Sequence, residues 1–344
     1  MKLKKLIKNI VINLCLVFFG LLFSLLAFEL ILRSGLLNKT NPNKIEFLRP
    51  KYYYNEEGAR TFANNRFEKV KPSDRYRIAV IGDSFTSPFL MQYDDSFTAR
   101  LERMLNLNLI AANKKKAEVL NFGNSGYCTF QEVPEFKKAL STNPDLIILQ
   151  ITINDIDCNN FRQYIAKHPE LKLGELKITK EDTPLLYYFK SLGFIAQRMR
   201  IKASQKNFID FNNNLFKDQK RWATFKSSIR EMKNMAKAKK VPFVAILVPY
   251  LHYPLDDNYP FADIHKQITE FLTSRRIANL DLFSAFKFVP NKFIQVLPDK
   301  DSHPNEIAHR IIADNLYEWL AQLKLIPKDL QIKNKYTKRV KNRG

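Results

Sequence analysis

The 344-residue sequence predicts an α/β domain built on a mostly parallel, five-stranded sheet. Three observations predict it. Short continuous apolar runs, such as Ile78–Ile81 and Leu146–Ile151, read as strands buried on both faces. Segments with helical apolar spacing alternate with those runs, as in a parallel sheet covered by helices on both sides. The residues that carry chemistry follow the runs: Gly82-Asp83-Ser84, then Asn121-Phe-Gly-Asn-Ser-Gly126, then Ile153-Asn154-Asp155. In such sheets ligand sites form beyond the C-terminal strand ends.

Each element has its own signal. Lys2, Lys4, Lys5 and Lys8 precede an apolar stretch from Ile10 to Leu32, broken only by Asn13, Gly20, Ser24 and Glu29. A bilayer span needs about 20 apolar residues, so residues 1–33 are expected to be an uncleaved single-pass signal anchor. The lysines in front place the N-terminus in the cytoplasm and the rest in the periplasm or outside. Residues 34–74, rich in Asn, Pro, Lys and Tyr, read as a juxtamembrane connector. The main domain is expected over 75–325. Its first strand is Arg77–Gly82, followed by a helix over Ser96–Leu107 with Phe97, Leu101, Met104 and Leu105 on one face. A strand over Glu118–Phe122, a helix over Gln131–Leu140, a turn at Asn143-Pro-Asp145 and the strand Leu146–Ile151 follow.

Residues 157–216 mix polar runs, aromatics and lysines, and predict an insertion of short helices forming a lid over the active-site edge. Lys217–Lys240 is a helix with Trp222, Phe225, Ile229, Met232 and Met235 on one face and bases on the other. Val241–Val248 is a strand, Phe261–Ile277 a helix, Asn279–Leu282 a strand, and Asn305–Leu323 a last helix capped by Asn305 or Ser302. Residues 326–344 form a basic tail.

The formal charge of +22 favours anionic partners: a membrane surface, an acidic polymer or nucleic acid. A Lys- and Asn-rich composition explains the charge equally well. No zinc-finger, helix-turn-helix or aromatic-interleaved basic stripe points to nucleic acid. Of the three cysteines, Cys15 lies in the apolar run, and Cys128 and Cys158 each follow a candidate active-site loop. The last two are either buried thiols or, in an exported domain, a disulfide.

The candidate nucleophile is Ser84, just beyond a strand end; a serine hydroxyl needs a base to take its proton. Ser125 competes, but its loop suits backbone N–H donation better. His303 is the candidate base. It alone among five histidines has a carboxylate two positions earlier and a helix start right after it. His265 and His309 fall inside helical patterns and read as surface or packing residues. Asp301 is the orienting acid, with Asp299 as fallback. Gly126 and Asn154 are candidate oxyanion donors, one through the backbone and one through its side-chain amide. Asp155-x-Asp157 also admits a metal-pair reading, which lacks any supporting nucleotide signature.

Gly82-Asp83-Ser84, the Gly126 loop, Asn154-Asp155 and Asp301/His303 stand in the order of the four blocks of the SGNH (GDSL) hydrolase superfamily, which residues 75–325 resemble. The resemblance implies a flavodoxin-like three-layer α/β/α fold and a Ser84–His303–Asp301 triad. It also implies an oxyanion hole from the Ser84 N–H, the Gly126 N–H and the Asn154 amide, with no cofactor and no metal. The chain resembles the membrane-anchored members that act on acylated cell-surface glycans or lipids, some of which transfer acetyl groups. It departs from the common pattern in having Lys300 three positions before the histidine, Ile153 before Asn-Asp, and Ser87-Pro88 after Thr86. The expected function is that of a serine esterase or O-acyltransferase on an acylated envelope glycan or lipid, with envelope-assembly partners implied by the resemblance alone. The alternatives are a lipase or lysophospholipase, or a catalytically weak module that binds an anionic polymer or membrane.

Overall fold

The computed structural model describes residues 2–34, 52–54, 60–62, 67–68, 70–107, 116–157, 179–180, 183–298 and 301–331. The chain forms two compact units. One takes in Met1–Glu46 and Ile165–Phe208, the other Phe47–Tyr164 and Ile209–Gly344.

The larger unit holds the sheet. Strands β1 (Tyr52–Tyr54), β2 (Arg60–Phe62), β3 (Arg75–Gly82), β4 (Lys116–Gly123), β5 (Leu146–Ile151), β6 (Phe243–Leu247) and β7 (Ala278–Asp281) lie in the order β1-β2-β4-β3-β5-β6-β7. The five central strands β4-β3-β5-β6-β7 are parallel, in register from Ile78 beside Val119 and Leu146 to Leu247 beside Asp281. Their interiors are apolar because both faces are covered: Ile78–Ile81, Leu146–Leu149 and Ala245–Leu247 are fully buried. The fold is therefore α/β with a mostly parallel five-stranded core.

The connector contributes β1 and β2, which pair antiparallel with each other; β2 meets β4 through Arg60 and Asn121. Two three-residue edge strands carry too short a pattern to be read from sequence.

Helix α2 (Phe97–Asn106) links β3 to β4, α3 (Thr129–Ser141) links β4 to β5, α6 (Gln219–Ala238) precedes β6, and α7 (Ala262–Ser274) links β6 to β7. After the short helix α8 (Phe283–Phe286), the chain makes a two-stranded ribbon, β8 (Gln295–Leu297) with β9 (Asp301–Pro304), and ends in α9 (Glu306–Gln322). The crossovers β3-α2-β4 and β4-α3-β5 run in opposite directions across the sheet, so their right-handed helices cover opposite faces. The helix starts are capped as their sequences dictate: Ser96, Asp218 and Asn305 each accept a first-turn N–H.

Arg77 fastens β3 at its far end from the site. Its buried guanidinium meets Glu118 at 2.9 Å and donates to the Thr142 and Glu68 carbonyls.

In the smaller unit, α1 (Lys2–Arg33) is long and apolar enough to cross a membrane, and so is a signal sequence. Helix α4 (Pro184–Tyr188) and the long α5 (Lys190–Lys217) occupy the described part of the insertion. Sequence predicted several short helices there. The 28-residue α5 has bases and apolar residues interleaved on every side, so no stripe marks its length. Residues 158–178 and 332–344 lie outside the described residues, as do His168, Asp299 and Cys158.

Candidate active site

The strand order reverses around β3, between the crossovers to β4 and β5. A parallel sheet opens its crevice at such a point, outside the carboxyl ends of the strands. Ser84 follows β3 and Asn154 follows β5, one on each side of the switch.

The turn after β3 is tight. The N–H groups of Thr86 and Ser87 both donate to the Asp83 carbonyl, and Asp83 Oδ1 accepts the Phe85 N–H at 2.9 Å. Gly82 is required there: a Cβ would lie 2.5 Å from Gln150 Oε1 and closer still to Thr86 Oγ1. The two obstructing side chains hydrogen-bond each other at 2.8 Å, which ties the turn after β3 to β5.

His303 arrives on the β8–β9 ribbon. Its Nε2 lies 2.9 Å from Ser84 Oγ, and its Nδ1 lies 2.6 Å from Asp301 Oδ1. The same carboxylate oxygen accepts the His303 backbone N–H at 2.9 Å, so a two-residue spacing forms one compact loop. Burial pushes the Asp301 carboxyl up, but the hydrogen bonds and charge of His303 outweigh it and hold it below the usual carboxylate range. Two aromatic rings pack on the imidazole, Phe89 at 4.4 Å and Phe85 at 5.7 Å between centroids.

Asn154 sits in the turn Ile153–Ile156, where Thr152 N–H donates to Asp155 Oδ2 at 2.8 Å. Its Nδ2 donates to Asp83 Oδ2 at 2.9 Å, which orients the amide at the turn after β3 and leaves its second N–H available. Gly126 lies exposed in the turn after β4, at φ +79°, a conformation glycine adopts without cost. That loop is tied to β3 where the Asn124 N–H donates to the Gly82 carbonyl at 2.9 Å.

The structure thus brings Ser84, His303 and Asp301 into one hydrogen-bonded chain, and Asp83, 3.4 Å from Ser84 Oγ, joins Asn154 to the same turn. The competitors fall elsewhere. Ser125 is exposed in the Gly126 turn. His265 is buried against Asp281 at 3.0 Å, and buried His309 accepts the Phe97 N–H at 3.1 Å. Burial and the Arg100 charge lower the His309 pKa to about 3, so it packs as a neutral ring. Asp155 and Asp157 diverge: the first closes its own turn, and the second faces Arg221 at 3.7 Å.

Sequence reasoning missed a buried acid cluster. Asp83, Asp155 and Glu132 of α3 are all buried, and both Glu132 carboxylate oxygens lack a hydrogen-bond partner among the described residues. Burial raises the pKa of all three. Asp83 adds to the rise at Glu132, and Glu132 and Asp83 add to it at Asp155. Glu132 carries no sequence signal, since a glutamate in the first turn of a helix reads as a solvated one. Cys128, which precedes α3, is disulfide-bonded, whereas Cys15 is free.

The profile of the GDSL-like lipase/acylhydrolase family matches residues 80–311, from within β3 to within α9, and takes in all the residues just described. The chain belongs to this family. It is therefore a GDSL-type hydrolase, of the esterase, lipase and acylhydrolase class. A search of curated proteins found no match. Among solved structures, a catalytic mutant of the acetylxylan esterase Axe2 from Geobacillus stearothermophilus is similar at 15% identity, over 78% of this chain and 100% of that one, with TM-score 0.43. The psychrotrophic esterase EstA from Pseudoalteromonas sp. is similar at 10% identity, over 72% and 98%, with TM-score 0.42. A lipase/acylhydrolase from Enterococcus faecalis is similar at 15% identity, over 72% and 96%, with TM-score 0.39.

Proposed function

We propose that this GDSL hydrolase is a membrane-anchored serine esterase or O-acyltransferase acting on short acyl esters, acetyl foremost, of a cell-envelope glycan or lipid. The observation that carries the reading is the unbroken chain Asp301 Oδ1–His303–Ser84 Oγ, with links of 2.6 and 2.9 Å. His303 Nε2 takes the Ser84 proton as Oγ attacks the ester carbonyl, and Asp301 holds the ring in the tautomer that leaves Nε2 free to accept. The Ser84 and Gly126 N–H groups and the free N–H of Asn154 receive the oxyanion. The tetrahedral intermediate collapses to acyl-Ser84, and His303 protonates the departing alcohol oxygen. Water or a sugar hydroxyl, deprotonated by His303, then takes the acyl group.

Several features support the finer points. Phe85 and Phe89 against His303 put fixed aromatic bulk beside the nucleophile, which favours a short acyl group. The disulfide at Cys128 suits an oxidising compartment. An apolar N-terminal helix preceded by lysines suits an anchor with the enzyme outside the cytoplasm.

The test is hydrolysis of p-nitrophenyl esters of increasing acyl length by the full chain in detergent, beside Ser84→Ala and His303→Ala. Activity on acetate that vanishes in both variants and declines with chain length is expected. Activity retained in both would sink the triad, and a preference for long chains would favour a lipase.

A further inference from the structure

The junction of α4 and α5 exposes six large apolar side chains: Leu185, Tyr187, Tyr188, Phe189, Ile195 and Met199. Leu185 is 61% and Met199 68% exposed. Aromatic and aliphatic groups turned outward this densely mark an interaction surface. The charges around them are of one sign. Lys190, Arg198, Arg200, Lys202 and Lys206 are exposed, and the sequence from 183 to 206 has no Asp or Glu.

The same junction is built onto the end of α1. Glu29, the single acid of that helix, accepts the Lys190 N–H at 3.0 Å and the Ser191 N–H at 2.7 Å. These are the first two N–H groups of α5, which have no partner within their own helix. Arg33 donates to Glu29 at 2.7 Å and also to the Tyr188 carbonyl, and Phe28 meets Phe194 edge to face at 5.5 Å. A leader removed after export has no use for an acid that caps a helix 161 residues downstream. The apolar body of α1, from Ile7 to the Glu29 clamp, is exposed almost throughout.

We propose that α1 is retained, and that residues 184–206 lie in the headgroup layer of the bilayer it enters. The aromatic and aliphatic rim would sit in lipid and the basic side chains on anionic headgroups. Tyrosines favour that depth, and exposed basic side chains beside exposed apolar ones are drawn to anionic lipid. The proposal rests on the anchor reading above and is independent of the esterase chemistry.

The test uses the full chain in nanodiscs of phosphatidylcholine and phosphatidylglycerol, with a thiol-reactive fluorophore at one position at a time. Native Cys15, free and exposed, reports on the span. In a Cys15→Ser background, which also serves as the labelling blank, Leu185→Cys, Tyr188→Cys and Met199→Cys report on the junction. Lys239→Cys, at an exposed position in the larger unit, is the reference. Labels at 185, 188 and 199 are expected to be quenched by 5-doxyl lipid about threefold or more beyond the label at 239, and shielded from iodide. Iodide quenching with no doxyl quenching at those positions, while Cys15 is quenched by lipid, overturns the proposal and leaves the anchor standing. Shielding from both quenchers means that protein covers the face, which also overturns it. A Cys15 label untouched by lipid removes the anchor and the proposal together.

Discussion

Asp301→Asn is the sharpest probe of the site. Asn keeps a side-chain oxygen to accept the His303 backbone N–H, so the two-residue loop should survive and the loss should fall on catalysis. What disappears is the charge facing Nδ1 across 2.6 Å. Unit charges about 4 Å apart interact by about 4 kcal/mol at an effective dielectric of 20. Both side chains are about a quarter exposed, at 27% and 25%, so solvent takes part of that. The remainder should resemble an ordinary charge-assisted hydrogen bond, about 1.5–3 kcal/mol. At about 1.4 kcal/mol per decade, kcat/KM should fall roughly 10- to 150-fold. Because His303 holds Asp301 below the usual carboxylate pKa, its contribution is present above the unfolded value near 3.9 and is lost only as pH falls through the lower folded value. Protonation of Asp301 itself should therefore add no inflection to the parent's rate profile between about pH 5 and 8. The assay is initial-rate hydrolysis of p-nitrophenyl acetate across that range, with Asp299→Asn alongside. Parent-like activity in Asp301→Asn, or a loss confined to Asp299→Asn, would refute the assignment of the acid.

Three further outcomes follow from the same geometry. Asn154→Ala should lower kcat by about 10²–10³ with little change in KM, as expected for a lost oxyanion donor; a change in KM alone would assign Asn154 to ground-state binding. Gly82→Ala places a methyl 2.5 Å from Gln150 Oε1, so urea denaturation should show a loss of about 1–3 kcal/mol, and unchanged stability would mean that the Thr86–Gln150 pair yields freely. For Glu132 the folded pKa is raised, so its favourable contribution is present below the unfolded value near 4.3 and is lost as pH rises through the folded one. Glu132→Gln should flatten the decline of stability with rising pH by at most about 1.4 kcal/mol per unit, and parallel curves for parent and variant would show that Glu132 does not titrate there.

The sheet was legible because strands buried on both faces must be apolar throughout, and Leu146–Ile151 can be little else. The candidate residues Ser84, Asp301 and His303 stood out in the sequence because each follows a strand end or precedes a capped helix, positions where a polar residue needs a reason. The Asp83–Asn154 link did not, since Asp83 read only as part of the Gly82-Asp83-Ser84 turn and nothing local ties a turn after β3 to one after β5. The buried acid cluster around Glu132 was hidden for a similar reason: burial of a carboxyl is a property of the assembled layers. Helix α5 escaped because its apolar residues meet different surroundings along its length and share no face.

The two short strands of the connector bear on how the enzyme should be handled at the bench. Without residues 52–62, β4 would become the last strand of the sheet and lose the pairing it makes with β2 beside Asn121. Such a border recruits strands from neighbouring molecules, and natural proteins take care to cover it. A soluble form trimmed to the start of β3 would keep every residue of the hydrogen-bonded chain and still tend to precipitate. One begun ahead of Tyr52 keeps the Arg60–Asn121 pairing.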